Sequence, residues 1–142
     1  MRMTPQQFIR GVIGVPFIPH GRGYSGIDCY GLVYLAHRDV LGIELPTYAE
    51  DYVSTRPSSQ LAELIAAHRK EVWWNVESEP MKFGDVVLLR CGGLPVHCGV
   101  ALGDGSLRML HVEQGISTCI ESYDAPLWQR RVEGFWRHAL HA

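Results

Sequence analysis

Three observations on this sequence predict an α+β fold. Helical periodicity is confined to the first half, strand-like alternation takes over after Pro80, and glycine turns punctuate the second half at short intervals. Helices first and strands afterwards, without β–α–β alternation, predict N-terminal helices packed on a small antiparallel sheet. The 142 residues suffice for one domain with a proper core, spanning 1–142. An apolar fraction of 46% and a charged fraction of 20% are those of an ordinary globular protein.

The elements follow in order. Gln6 to Gly14 reads as a short helix closed by glycine. Val15 to Ile27 is a loop full of breakers: Pro16, Pro19, Gly21, Gly23 and Gly26. Asp28 stands where an N-cap belongs, its carboxylate able to accept from backbone N–H groups one turn on. The helix it starts is expected over Cys29–Leu41, with Leu32, Val33, Ala36 and Val40 on one face and Gly42 as a left-handed cap. Gly31 is costly in a first turn, which signals a close approach there. Ser58 or Ser59 can cap a second helix over Gln60–His68, and Trp73 and Trp74 precede a turn region. Strands are expected over Asp85–Leu89, Val96–Leu102, Leu107–Val112, Ser117–Ile120 and Val132–Arg137. Cys91-Gly92-Gly93, Gly103-Asp104-Gly105 and Gln114-Gly115 supply the turns between them.

Charge and composition exclude some partners. A net charge of −2 disfavours nucleic acid and anionic membrane surfaces. No apolar run approaches the roughly 20 residues that span a bilayer. Gln6 and Gln7 stand where a signal peptide carries its apolar stretch, so cytoplasmic synthesis without a standard signal peptide is expected. Cys29, Cys91, Cys98 and Cys119 are expected as reduced thiols, since a chain of this length needs no staples. They show no paired metal-ligand spacing, and neither a metal nor a cofactor is expected.

The chemistry centres on Cys29. A thiol attacks as thiolate, and the first position of a helix lowers its pKa through unpaired N–H groups and the positive dipole end. A base must lie nearby. His97 opens a strand whose same-face neighbours are Gly99 and Ala101, a smooth face on which the Cys29 helix could lie close through Gly31 and Gly99. His111 shares a face with Leu107 and Met109 on the next strand, where a polar group is expensive without a partner. His97 would be that partner, oriented by His111 as a base is by the third member of a triad.

The segment Gly26-Ile27-Asp28-Cys29-Tyr30-Gly31-Leu32-Val33 resembles the D-C-[SW]-G-L-V nucleophile motif of the NlpC/P60 cysteine peptidases. Phe83-Gly84-Asp85-Val86-Val87 is similar to that family's G-D-[LV] strand start, and Val96-His97-Cys98-Gly99-Val100-Ala101-Leu102-Gly103 to its H-V-G-[IV]-x-L-G base motif. Leu110-His111-Val112 resembles the site of its third polar residue. The resemblance covers most of the chain. It implies a papain-like α+β fold, a Cys29–His97–His111 triad, and hydrolysis of peptidoglycan stem peptides, typically beside a D-glutamyl residue.

Tyr30 and the stretch Leu41-Gly42-Ile43-Glu44-Leu45-Pro46-Thr47-Tyr48 look like the tailed-phage members, which implies tail proteins as partners and action at the bacterial wall from a virion tail. Where many members carry P-Y-x-x-G-G, this chain has Pro16-Phe17 and no hydroxyl. Oxyanion stabilisation then falls to backbone N–H groups or to Tyr24, and Asp28, Tyr24 and Tyr30 stand as substrate-binding or oxyanion candidates. Two rival readings are a non-enzymatic tail component and an amidase or acyltransferase on the same scaffold.

Overall fold

The structure, a computed structural model, describes residues 2–47, 73–76, 79–91 and 94–141. Helix α1 (Pro5–Val12) begins on a reciprocal cap: the Gln7 N–H donates to the Thr4 hydroxyl, and the Thr4 N–H to the Gln7 side chain. Two donors that a helix start leaves open are thereby satisfied. Phe8 and Val12, one turn apart, are the residues it buries. A short ribbon of β1 (Arg22–Gly23) and β2 (Gly26–Ile27) leads into α2 (Cys29–Ala36). The expected helix to Leu41 is divided, because His37–Leu41 widen into a π-helical turn that closes on Gly42 at φ 69°. That left-handed conformation suits glycine.

Strands β3 (Trp73–Asn75), β4 (Val86–Cys91), β5 (Leu94–Ala101), β6 (Arg108–Glu113), β7 (Ile116–Ser122) and β8 (Val132–His138) form a six-stranded sheet in the order β3-β8-β4-β5-β6-β7. Every neighbouring pair is antiparallel. The five strands expected from alternation occur with ends moved by a few residues. Trp73 and Trp74, ahead of the turn region, add an edge strand to the reading: they pair Trp73↔His138 and Trp74↔Arg137, through a long-range contact that no local signal carries. The second helix, over 60–68, and the turn at 92–93 lie outside the described residues.

The period of two sorts the sheet into two buried layers. Cys98, Val100, Leu110 and Val112 join Cys29, Leu32 and Val33 in one core, under α2. Val87, Leu89, Ala101 and Met109 form a second core with Tyr123 and Trp128. The close approach expected between Gly31 and Gly99 is therefore corrected. A Cβ on Gly31 would lie 2.1 Å from the Gly21 carbonyl oxygen, so this glycine admits the preceding loop. A Cβ on Gly99 would meet Met109 Sδ at 2.7 Å, so that glycine admits β6. Helix α2 rests on the opposite, Cys98 side of the strand.

Asp85 shows why a strand should open on Gly-Asp. Gly84 has φ 96°, and Asp85 beyond it is fully buried. Its carboxylate accepts from Arg137 Nε at 2.8 Å and Nη2 at 2.7 Å, and from the Lys82 N–H at 2.7 Å. The fork locks the start of β4 to the end of β8. Asp85→Ala leaves the guanidinium buried without its carboxylate and is expected to lower stability by about 3–5 kcal/mol. Chemical denaturation reads this, and a loss below about 1 kcal/mol would refute the role given to the pair.

Candidate active site

Cys29 is held by what surrounds Asp28. The Asp28 carboxylate is fully buried and accepts from the Gly31 N–H at 2.7 Å, from Arg22 Nη1 at 2.7 Å and from the His20 N–H at 3.0 Å. One anion thus caps the helix and pins the loop before it. Arg22 continues outward, its Nε and Nη2 donating to the Thr47 carbonyl at 3.0 and 2.8 Å. Cys29 sits at the first position of α2, 5% exposed.

Two side chains from the same strand, Cys98 and His97, act on its thiol. Both lie in β5, just beyond the two pairs, Val100↔Leu110 and Ala101↔Met109, that join β5 to β6. The Cys29 pKa is pushed well below that of an ordinary thiol. The hydrogen bond with Cys98 is the main cause, burial opposes it, and the hydrogen bond and charge of His97 reinforce it. Cys98 moves the other way, pushed well up by that same hydrogen bond, by burial and by the charge of Cys29. The two thiols thus shift in opposite directions, Cys29 down and Cys98 up.

Behind His97 runs a directed relay. His97 Nε2 lies 3.2 Å from His111 Nδ1, and His111 Nε2 bonds the Glu121 carboxylate. Trp128 Nε1 donates to the same carboxylate at 2.8 Å, and its ring stacks on His97 at 5.5 Å between centroids. His111 is fully buried, and burial first, then the nearby charge of His97, lowers its pKa. A carboxylate only accepts, so His111 Nε2 carries the proton and Nδ1 of the neutral ring is an acceptor. His97 must then donate from Nε2, which leaves its Nδ1 for the thiol. Glu121 thus sets, through His111, the tautomer that a base at His97 requires.

The other candidates lie elsewhere. Tyr24 is not an oxyanion donor: its hydroxyl bonds Asp39 at 2.5 Å and its ring packs edge-on against Phe8, fixing the loop to α1 and the π turn. Tyr30 donates to the Pro46 carbonyl at 2.8 Å and holds the chain after α2 in place. Asp28, with its oxygens engaged internally, positions Cys29 rather than contacting substrate. Glu121 and Trp128 escaped the sequence reading. The Gln114-Gly115 hairpin signal could have found Glu121, because pairing His111↔Cys119 sets Glu121 diagonally beside His111 on the same face.

That register also gathers possible metal ligands. Among the described residues, His111, Cys119 and Glu121 bring ligand atoms within 4.8 Å of one another, a grouping across a hairpin that sequence spacing does not reveal. His111 and Glu121 also bond each other directly.

A thiol of lowered pKa beside an imidazole is the arrangement that nucleophilic acyl transfer requires. The chain belongs to the NlpC/P60 family, whose model matches residues 14–137. It is 28% identical over 120 residues to murein DD-endopeptidase MepS/murein LD-carboxypeptidase of Escherichia coli, covering 83% of this chain and 53% of that one. To murein DD-endopeptidase MepH of Escherichia coli it is 29% identical over 112 residues, covering 78% of this chain and 35% of that one. This chain thus spans about half or less of these curated relatives. Among solved structures, the NlpC/P60 domain of peptidoglycan hydrolase SagA aligns with a TM-score of 0.60 at 20% identity, covering 94% of each chain. A Bacillus cereus NlpC/P60 family protein aligns at 0.65 and 20%, covering 98% of this chain and 41% of that one. These neighbours agree with the fold described above.

The lowered pKa makes reactivity a function of pH with a definite sign. A depressed thiol is anionic above its pKa and loses reactivity as pH falls through it. Alkylation of Cys29 by iodoacetamide, followed site by site with mass spectrometry, is expected to stay fast through neutral pH and fall only in acid. In Cys98→Val the midpoint should rise, since the largest stabilising hydrogen bond is gone. A wild-type midpoint at the ordinary value of about 8.5 would refute the assignment of the charge to Cys29.

Proposed function

We propose that this protein is a cysteine peptidase that hydrolyses stem peptides of peptidoglycan. The observation that carries the reading is a buried thiol whose pKa is lowered by Cys98 and His97, with His111 and Glu121 in line behind the His97 imidazole. The Cys29 thiolate attacks the amide carbonyl, and the oxyanion develops at the first turn of α2, where backbone N–H groups and the helix dipole favour negative charge. His97 protonates the leaving amine, then takes a proton from the water that opens the thioester. The murein relatives support peptidoglycan as the substrate, and the bacterial wall as the place of action follows from it.

The contact between Cys29 and His97 favours an enzyme over a non-enzymatic tail component. Association with phage tail proteins rests on Tyr30 and the stretch 41–48 alone, and the peptidase reading does not depend on it. An amidase or acyltransferase would share the thioester and differ in the acceptor, so product analysis separates these.

Cys29→Ala is expected to abolish hydrolysis of purified stem peptides without loss of folding, checked by product chromatography beside a thermal melt. Undiminished turnover in the folded variant would overturn the proposal. His97→Ala should be almost as inert. His111→Ala and Glu121→Ala should each retain residual turnover, lowered roughly 10- to 100-fold, because each removes an orienting hydrogen bond worth about 1.5–3 kcal/mol. His111→Asn or His111→Gln should recover part of the rate, since either amide can accept from His97. Wild-type turnover in His111→Ala would reduce the centre to Cys29 and His97 alone.

A further inference from the structure

The base motif of this chain departs from the pattern it otherwise follows. Where H-V-G-[IV] has an aliphatic side chain, residue 98 is a cysteine. Apolar packing alone would be served equally by valine. Cys98 is 5% exposed and shares the core under α2 with Cys29, and it is the neighbour that acts most strongly on the Cys29 thiol. Cys29, Cys98 and Cys119 are all thiols in the structure rather than disulfides. Cys119 belongs to another neighbourhood, with its Sγ 3.7 Å from His111 Nε2. A nucleophilic thiol at a helix start thus has one sulfur as an immediate neighbour, delivered by the strand that also delivers the base.

We propose that Cys98 is a resolving thiol for Cys29, and that the two form a reversible disulfide when the protein meets a peroxide. The Cys29 thiolate attacks one oxygen of hydrogen peroxide. An S–O bond forms, the O–O bond breaks, hydroxide leaves, and the sulfur is oxidised by two electrons as the peroxide is reduced. Cys98 then attacks the Cys29 sulfenic sulfur. The S–S bond forms, the S–O bond breaks, and the departing hydroxide leaves as water with the Cys98 proton. An external dithiol reverses the step and is itself oxidised. The geometry favours this over further oxidation, because a sulfenic acid in contact with a thiol is trapped before a second peroxide arrives. The bond itself requires the two sulfurs, neighbours in one core, to meet in ordinary disulfide geometry. Its consequence, loss of turnover, rests on the reading of Cys29 as the nucleophile, because a sulfur in a disulfide cannot attack a carbonyl.

The test treats the full chain with hydrogen peroxide, blocks remaining thiols by alkylation, and combines intact mass, peptide mapping and stem-peptide turnover before and after dithiothreitol. The wild type is expected to lose about 2 Da, to map a Cys29–Cys98 disulfide, and to lose turnover in proportion to the disulfide formed, all restored by the dithiol. Cys98→Val, scored against its own untreated sample, should instead gain about 32 Da at Cys29 and stay unreactive after dithiothreitol. Irreversible oxidation of wild-type Cys29, or a disulfide from Cys29 to a different cysteine, would overturn the proposal. Mapping in the wild type alone decides this, even if the variant folds poorly. A Cys29–Cys98 disulfide with unchanged turnover would uphold the resolving thiol and overturn the catalytic role of Cys29, so the two failures are distinct.

Discussion

A buried carboxylate needs every lone pair answered, and Asp28 meets that demand in a way that shapes the whole site. One oxygen takes the Gly31 N–H and Arg22, the other the His20 N–H. The first bond starts α2 at Cys29, and the others pull the breaker-rich loop over the helix start. That loop in turn requires glycine at position 31, because the Gly21 carbonyl occupies the place of a side chain. Arg22 then reaches Thr47 and ties down the chain that leaves the helix. The thiol position is therefore a consequence of charge satisfaction in a buried loop, with helix propensity secondary: a glycine in the first turn works against the helix.

The second constraint is the direction of the proton relay. Glu121 can only accept, so the neutral His111 ring accepts from His97 Nε2 and the other ring nitrogen of His97 is left for Cys29. Burial keeps His111 neutral and so keeps the relay pointed one way. Trp128 serves twice, donating to Glu121 and covering one face of His97. Cys29 belongs to the core under α2, whereas His111 and Trp128 lie on the other side of the sheet. His97 bridges the layers where β5 and β6 have ceased to pair.

Membership of the NlpC/P60 family accounts for the fold and for peptidoglycan as the substrate to test. Cys98 and Phe17 are the departures of this chain from the motifs it otherwise follows. The first sets a second thiol beside Cys29, and the second leaves the loop without a hydroxyl there. Tyr24 does not replace that hydroxyl, because it is committed to Asp39.

Much was legible in the sequence wherever a signal depends on neighbours a few residues apart. The cap at Asp28, Cys29 at the helix start, the left-handed Gly42 and the strands around Gly103 and Gln114-Gly115 are decided by backbone hydrogen bonds and φ angles that nearby side chains set. The period of two placed His97 and His111 on adjacent strands. Tertiary structure decided which face of β5 receives the helix, that Trp73 and Trp74 add an edge strand, and that Cys98, Glu121 and Trp128 join the site while Tyr24 and Tyr30 turn away. These outcomes depend on strand register and layer packing between residues far apart in sequence. A one-residue change in register would exchange every inward side chain for its neighbour, so no local pattern can foretell which atoms meet.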